Sequence, residues 1–469
     1  MRVWTQIFGA LAASLTAAST GSAVSFSAIL IHQLRDDEDI QLDINEASWI
    51  PTIFTLSSMV SCCLGGWFSG RFGRRVCIII WQSVASICCV VTFFATNKWM
   101  IFIARGAIGF ATGMSFSSVG IYVSETVHKS LRNAVGCFPA TFLAFGMLIN
   151  FVMGYFFHWR IGALLSTTLP ALSVACMMLF PESPYWLVEQ GRNDEAQISL
   201  LFYREEGFEN ELQEMLSKHN ETRAKSKGQP TNTFWHACQT LRTKAFLQPL
   251  SCVGVLYSLS QCAGIPILTT YMPGIFEETG ASLDPVLASV VVMSVRLVAA
   301  GLASFAIHHI PKKLVFVCSS WCLSLSLVTL MLYNVLQTTE VTSPDMKHLV
   351  EHHNWIPVAA TVIAMSCHAL GIVNVIHILV AEAFPTEIRS ICAGTLQAFS
   401  NALCVCAVKS YPNFLSYFGF PFAFGIYASV AFFLGLWGLL KIEHNDGLSL
   451  TEIEKRLAKD IEKCNKIRK

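Results

Sequence analysis

Twelve apolar stretches, each about as long as a bilayer core is thick, leave this chain few ways to fold. They run over 7–31, 50–69, 76–95, 99–123, 134–157, 160–180, 246–276, 284–308, 314–336, 355–381, 390–411 and 418–440. About 20 apolar residues in a helix cross a hydrocarbon core. Within that core every backbone N–H and C=O must be bonded inside the protein, which leaves helices or a closed barrel. A barrel would show ten-residue segments of alternating polarity, and the sequence has none. The expected fold class is an all-α membrane protein with twelve transmembrane helices and the lipid bilayer as partner. Only 13% of the residues are charged, against about 25% in soluble domains. A formal net charge of +1 suggests no nucleic-acid partner.

A repeated spacing divides the spans into two groups of six. Ile121-Tyr122-Val123-Ser124-Glu125 leads to Arg132, and Ile378-Leu379-Val380-Ala381-Glu382 leads to Arg389 at the same distance, each at the end of an apolar run. Paired cations recur as well, in Gly70-Arg71-Phe72-Gly73-Arg74-Arg75 after the second span and in Pro311-Lys312-Lys313 after the eighth. Two six-helix halves built on one plan are expected. They would occupy 1–180 and 246–441, joined by a polar segment over 181–245 with short amphipathic helices, and followed by a tail over 442–469.

Of the 32 Lys and Arg, only Arg35, Lys98, Arg105, Arg160, Arg296, Lys347 and Lys409 fall inside spans or on the opposite loops. That bias predicts cytoplasmic termini and a cytoplasmic 181–245 segment. The first span lacks a basic n-region and a small-residue cleavage site, so it reads as a retained helix. None of the 17 cysteines falls in a predicted outer loop, and structural disulfides are not expected. The sequon Asn220-Glu221-Thr222 would lie out of reach of glycosylation, in the cytoplasmic segment.

Several further strings carry a family resemblance. They are Glu46-Ala47-Ser48-Trp49-Ile50, Arg105-Gly106, Trp159-Arg160, Pro181-Glu182-Ser183-Pro184-Tyr185-Trp186-Leu187, Gln261 to Gly264, and Phe399-Ser400-Asn401, in order with the repeated motifs above. Taken together the chain resembles the sugar porters of the major facilitator superfamily, most closely their arthropod trehalose-transporter-like branch, nearly end to end. The resemblance implies the major facilitator fold, a monomer in the plasma membrane, and passage of a small-molecule sugar by alternating access.

It also implies a cytoplasmic latch, which the charges support. Glu125 and Glu382 end helices within reach of Arg74 or Arg75 and of Lys312 or Lys313, while Arg132 is placed to face Glu182 and Arg389 repeats Arg132 in the second half. Exposed pairs contribute only about 0–1 kcal/mol each, which suits contacts that must break and re-form. This chain has Gly70 where the family carries an acid or amide, and the string after its last helix is reduced to Glu443-His444-Asn445-Asp446-Gly447.

The substrate site is expected at the midplane, beside a broken helix. Gly264, Pro266, Pro273 and Gly274 interrupt the seventh span. A neutral polyhydroxy ligand needs amides and hydroxyls that donate and accept, with an aromatic face for its C–H surface. Ser260, Gln261, Tyr271 and Asn401 supply that set, and Gln261 and Asn401 match sugar-contacting positions of the family. Other such positions are changed: Ala140 and Ser260 stand for glutamines, Pro266 for an asparagine, and His377 for a tryptophan. Arg296 aligns with a family asparagine and sits about 18 Å of helix rise from the outer end of its span, where a cation needs water or a partner. It is expected to face the cavity and bind hydroxyls or an anionic group.

No catalytic residues, metal cluster, cofactor motif or nucleotide-binding loop is found in the sequence. Residues 4–31 contain no Asp or Glu, where proton-coupled relatives carry an acid, so facilitative uniport of trehalose or a hexose is the leading expectation. His368 and His377 are residues that titrate near neutrality when unperturbed. The alternatives are a proton-coupled symporter, a carrier of a non-sugar or anionic solute, and a transporter-like sugar sensor.

Overall fold

The structure is a computed structural model. It describes residues 3–35, 37, 40–128, 131, 135–204, 208–209, 211–213, 215–217, 244–338, 352–383 and 386–442, with the side chains of 244–250, 304, 308 and 381–393 outside that description. The first half contains α1 (Val3–Gln33), the short α2 (Ile44–Ala47), α3 (Trp49–Phe72), α4 (Arg74–Phe93), α5 (Lys98–Thr126), α6 (Phe138–Phe156), α7 (Trp159–Ser166) and α8 (Thr168–Met178). Two short helices follow, α9 (Pro184–Glu189) and α10 (Asn193–Tyr203). The second half contains α11 (Lys244–Cys262), α12 (Ile265–Glu278), α13 (Pro285–His309), α14 (Lys312–Thr338), α15 (Ile356–Cys367), a π-helix (His368–Ile372), α16 (Val373–Ala383) and α17 (Thr386–Lys441). The face of the bundle where α1 begins is called the near face, and its opposite the far face.

Helix ends follow local chemistry. The Asn97 side chain accepts from the Met100 N–H at the start of α5, and Asp284 accepts from Val286 and Leu287 at the start of α13, each satisfying N–H groups that the helix itself leaves free. Breaks are equally specific. Gly264 adopts φ 84° and separates α11 from α12, a conformation that costs glycine nothing and a residue with a Cβ a good deal.

Eleven stretches among the described residues are long and apolar enough to span a membrane. The last, Gly394–Lys441, has 48 residues, roughly 72 Å of helix, and is too long for one crossing of a core about 30 Å thick. Inside it Gly419 takes φ 76° and ψ 167°, with Pro412 and Pro421 on either side. The stretch is therefore two crossings, and the twelve expected spans are present.

Within the first half α1 packs along α6, and α3 along α5. The contact is backbone to backbone: a Cβ added at Gly146 on α6 would lie 1.8 Å from the Ala18 carbonyl oxygen on α1. Lipid-solvated helices lack a hydrophobic drive toward one another, so small residues that permit close approach carry such seams. Gly146→Ala is expected to lower the thermal unfolding temperature in detergent clearly, with a loss on the order of 2–3 kcal/mol. Gly66, with nothing within 4 Å of its added Cβ, is the control, and equal melting of Gly146→Ala and Gly66→Ala would refute the seam.

The two halves meet chiefly where α1 packs on α12, α3 on α17, and α6 on α13, with α2 also touching α17. One large core joins Phe276, Phe316, Phe424 and Leu434 of the second half to Ile29, Met147 and Phe151 of the first.

Candidate functional site

A cavity of about 330 Å³ lies between the halves. Thr20 and Ser27 of α1, Ser58 of α3 and Thr112 of α5 line one side. Gln261, Arg296, His377 and Asn401 line the other. The break at Gly264 ends α11 just beyond Ser260 and Gln261, so both residues stand at a helix terminus beside the cavity. Ser260 turns its hydroxyl back to the Tyr257 carbonyl at 2.8 Å. Asn401 Oδ1 accepts from Gln397 Nε2 at 3.1 Å, which leaves the Asn401 amide N–H₂ directed elsewhere. His377 presents an exposed ring with Nδ1 2.7 Å from the Val373 carbonyl.

Tyr271 is not among the cavity's lining residues, contrary to expectation. Its hydroxyl donates to the Val408 carbonyl at 3.0 Å and its ring packs on Tyr411 at 4.9 Å. The reason lies in α12, where Tyr271 itself has non-helical φ −115° and ψ 17°. The helical phase shifts there, and the side chain turns toward the packed seam with the first half.

The structure also brings in residues that sequence reasoning did not place in the site: Asn374, Gln397 and His368 join the wall of the second half. His368 opens the π-helix and Asn374 Nδ2 donates to the Ala369 carbonyl at 2.7 Å. Polar residues spaced along one face of an otherwise apolar span are the signal that would have pointed to them.

At the near face, Arg74 Nη2 donates to Glu125 Oε1 at 3.1 Å and lies 3.7 Å from Glu189 Oε2. Ser183 gives its hydroxyl hydrogen to the other Glu125 oxygen. Glu182 caps α4, accepting from the backbone N–H groups of Arg74 at 3.0 Å and Arg75 at 2.9 Å. A carboxylate there satisfies free donors and meets the positive end of the helix dipole. Arg75 turns its guanidinium to the Met177 and Met178 carbonyls at 3.0 and 2.9 Å, neutralising the end of α8 and not an acid. These contacts all lie within the first half and its following helices. Arg132 lies outside the described residues, as do the side chains of Glu382 and Arg389. Lys312 and Lys313 open α14.

Polar bonds between the halves occur at the far face. Glu277 of α12 accepts from Arg35 Nη1 at 2.9 Å and lies 3.0 Å from His32 Nδ1, both at the end of α1. Lys409 of α17 donates to the Asn45 carbonyl at 2.9 Å and the Ser48 hydroxyl at 2.8 Å, with its Nζ 4.2 Å above the Trp49 ring. Ser48 and Trp49 belong to the Glu46–Ile50 string, but no motif marks Arg35, Glu277 or Lys409, and the bonded partners are more than 240 residues apart.

Comparison with known proteins gives a consistent picture. The family model described as "Sugar (and other) transporter" matches residues 7–457. The facilitated trehalose transporter Tret1 of Culex quinquefasciatus is 25% identical over 474 residues, covering 99% of this chain and 87% of that protein. The protein of the same name from Drosophila pseudoobscura pseudoobscura is 26% identical over 457 residues, covering 97% of this chain and 51% of its own length. The chain thus spans about half the length of several relatives it matches. Among solved structures, the proton:xylose symporter XylE bound to 6-bromo-6-deoxy-D-glucose superposes with a TM-score of 0.76 at 18% identity, covering 97% of this chain and 100% of that one. The inward open conformation of the xylose transporter XylE from E. coli gives 0.75 at 15% identity, over 95% and 98%. At such identity these structures show the fold alone.

Proposed function

The chain belongs to the sugar (and other) transporter family, and from that premise we propose that it carries a sugar across the plasma membrane by facilitated diffusion, with trehalose or a hexose as first candidates. The observation that carries this reading is the cavity between the halves, of about 330 Å³ and walled by residues of both. Small-molecule sites of about 300–1,000 Å³ with a few convergent polar groups are the usual setting for such ligands. Gln261, Asn401 and Gln397 offer amides, and Thr20, Ser27 and Thr112 offer hydroxyls, to a polyhydroxy solute.

Alternating access requires one face closed while the other opens. The bonds of Glu277 and Lys409 hold the far face together, which supports a state with the cavity turned toward the near face. We take the near face as cytoplasmic, because Arg71, Arg74, Arg75, Arg192, Arg204, Lys312 and Lys313 gather there. The substrate-binding set in this reading is Ser260, Gln261, Arg296, His377 and Asn401, with the near-face charges as a latch that steadies the first half. Uniport is favoured by α1, whose 31 residues include no Asp or Glu to carry a coupled proton.

Counterflow in proteoliposomes tests the proposal. Internal unlabelled sugar should drive transient uptake of the labelled sugar, unchanged by a protonophore. Gln261→Ala is expected to raise KM about tenfold, the size of one lost hydrogen bond near 1.4 kcal/mol. Absence of exchange with any sugar, or its abolition by the protonophore, would overturn the facilitated-carrier reading.

A further inference from the structure

The central cavity contains one permanent charge that the described residues leave unneutralised. Arg296 is 7% exposed, its Nη1 donates to Met365 Sδ at 3.6 Å, and its Nε has no acceptor. A thioether is a weak acceptor. Among the described residues, none that lines the cavity is Asp or Glu. Arg105, also buried in the bundle and also with Nε and Nη1 lacking acceptors, has strong acceptors where Arg296 has a thioether: it donates to the Ala23 carbonyl at 2.9 Å and to Ser27, and lies 4.7 Å over the Phe54 ring. Arg105 is bound into the first half, whereas Arg296 faces the space between the halves.

The surroundings of Arg296 leave room for a ligand group. Ala300, one turn on along α13, joins Ala144 of α6 and Ala369 of the π-helix in a cluster of small side chains across the seam between the halves. His368, which begins that π-helix, also lines the cavity with a buried Nδ1 that has no partner. A π-helical turn interrupts the regular hydrogen-bond ladder and is frequent at functional sites. Two nitrogens without partners thus belong to side chains on one wall, with space beside them.

We infer that the preferred solute is a monoanionic sugar acid, such as a hexuronate, with its carboxylate on Arg296 and its hydroxyls on Gln261, Gln397 and Asn401. The planar guanidinium fork matches a carboxylate through two parallel bonds. One fixed positive charge balances one negative charge, while a phosphate ester carrying nearly two would bury an excess. The inference rests on the reading that this cavity is the transport site. Because each turnover moves one net negative charge, the equilibrium distribution should shift about 50-fold per 100 mV.

The test is counterflow in proteoliposomes with labelled glucuronate, glucose, trehalose and glucose 6-phosphate, at equal concentrations below saturation. Glucuronate should exchange at least tenfold faster than glucose or trehalose, and should raise the unfolding temperature of the native protein in detergent. Arg296→Gln should reduce glucuronate exchange at least tenfold and abolish that thermal shift, while Arg296→Lys, which keeps the charge without the fork, should retain part of both. Where Arg296→Gln fails to elute as a monodisperse species, Arg296→Lys and the ligand-induced shift of the native protein decide. Exchange of neutral sugars without exchange of or competition by glucuronate would overturn the inference and leave the sugar-carrier reading standing. Exchange of the phosphate ester alone, or undiminished glucuronate exchange in Arg296→Gln, would also overturn it. Silence with every solute would remove the transport reading itself, and the inference with it.

Discussion

Glu125→Ala is expected to lower the stability of the protein by about 3 kcal/mol, the cost of leaving a buried charge without its partner. Arg74 is only 9% exposed at its side chain and Glu125 17%. Two of the Arg74 nitrogens, Nε and Nη1, already lack acceptors, so the guanidinium depends on this one carboxylate. Glu189 stands 3.7 Å away with a side chain 56% exposed, and such a pair contributes little. The loss of Glu125 also frees Ser183, which caps α9 through the Trp186 N–H at 3.4 Å. Thermal or denaturant unfolding in detergent measures the first effect. Hydrogen exchange across Pro184–Glu189 measures the second. Replacing both partners with apolar residues, Arg74→Met with Glu125→Leu, should recover most of the stability, because no unpaired charge remains. A change below about 0.5 kcal/mol in Glu125→Ala would mean that the pair does not hold the near face of the first half.

Cutting the far-face seam should act on conformation more than on stability. In Glu277→Ala with Lys409→Ala, α1 loses both of its bonds to α12, and α17 loses its hold on Asn45, Ser48 and the Trp49 ring. The Arg35 and Glu277 side chains are 57% and 36% exposed, so solvent screens their attraction and about 1 kcal/mol is a fair upper figure for it. The half-buried Lys409 cation over the Trp49 indole contributes about 0.5–1 kcal/mol more. Together roughly 2 kcal/mol, or about 30-fold, would move from the far-closed to the far-open population. Spin labels at Ile44 and Leu283, both exposed and on opposite halves, report that opening as a longer distance. Exchange of charges, Arg35→Glu with Glu277→Arg, should restore part of the short-distance population. An unchanged distance distribution in the double alanine variant would show that other contacts close this face.

The spans, their division into two halves and the break in the seventh span could be read without any coordinates. Each is a local property: a bilayer core asks for about 20 apolar residues in succession, and Gly264 interrupts its span through its own φ value. The cationic turns were equally legible, since Arg74 and Arg75 directly follow a span. Part of the cavity was readable too. Gln261, Asn401, Arg296 and His377 are polar residues in apolar runs, and a span has few places to put them other than against water or a partner.

What those charges bind was decided by tertiary structure. Glu182 caps α4, a role that charge alone does not reveal, because folding brings a row of free backbone N–H groups to its carboxylate; Arg132, its expected partner, lies outside the described residues. Arg75 answers helix-end carbonyls for the same reason. Tyr271 left the cavity because helical periodicity does not carry across its own non-helical turn. The far-face seam joins residues 242 and 364 positions apart, and pairing over such distances depends on how helices are arranged, which hydrophobic pattern alone does not encode. The sequence by itself determined that this chain must cross a membrane twelve times in two related halves, because hydrocarbon imposes its demands span by span. Only the three-dimensional packing decided which polar groups meet at the seams and which, like Arg296, are left facing the cavity between them.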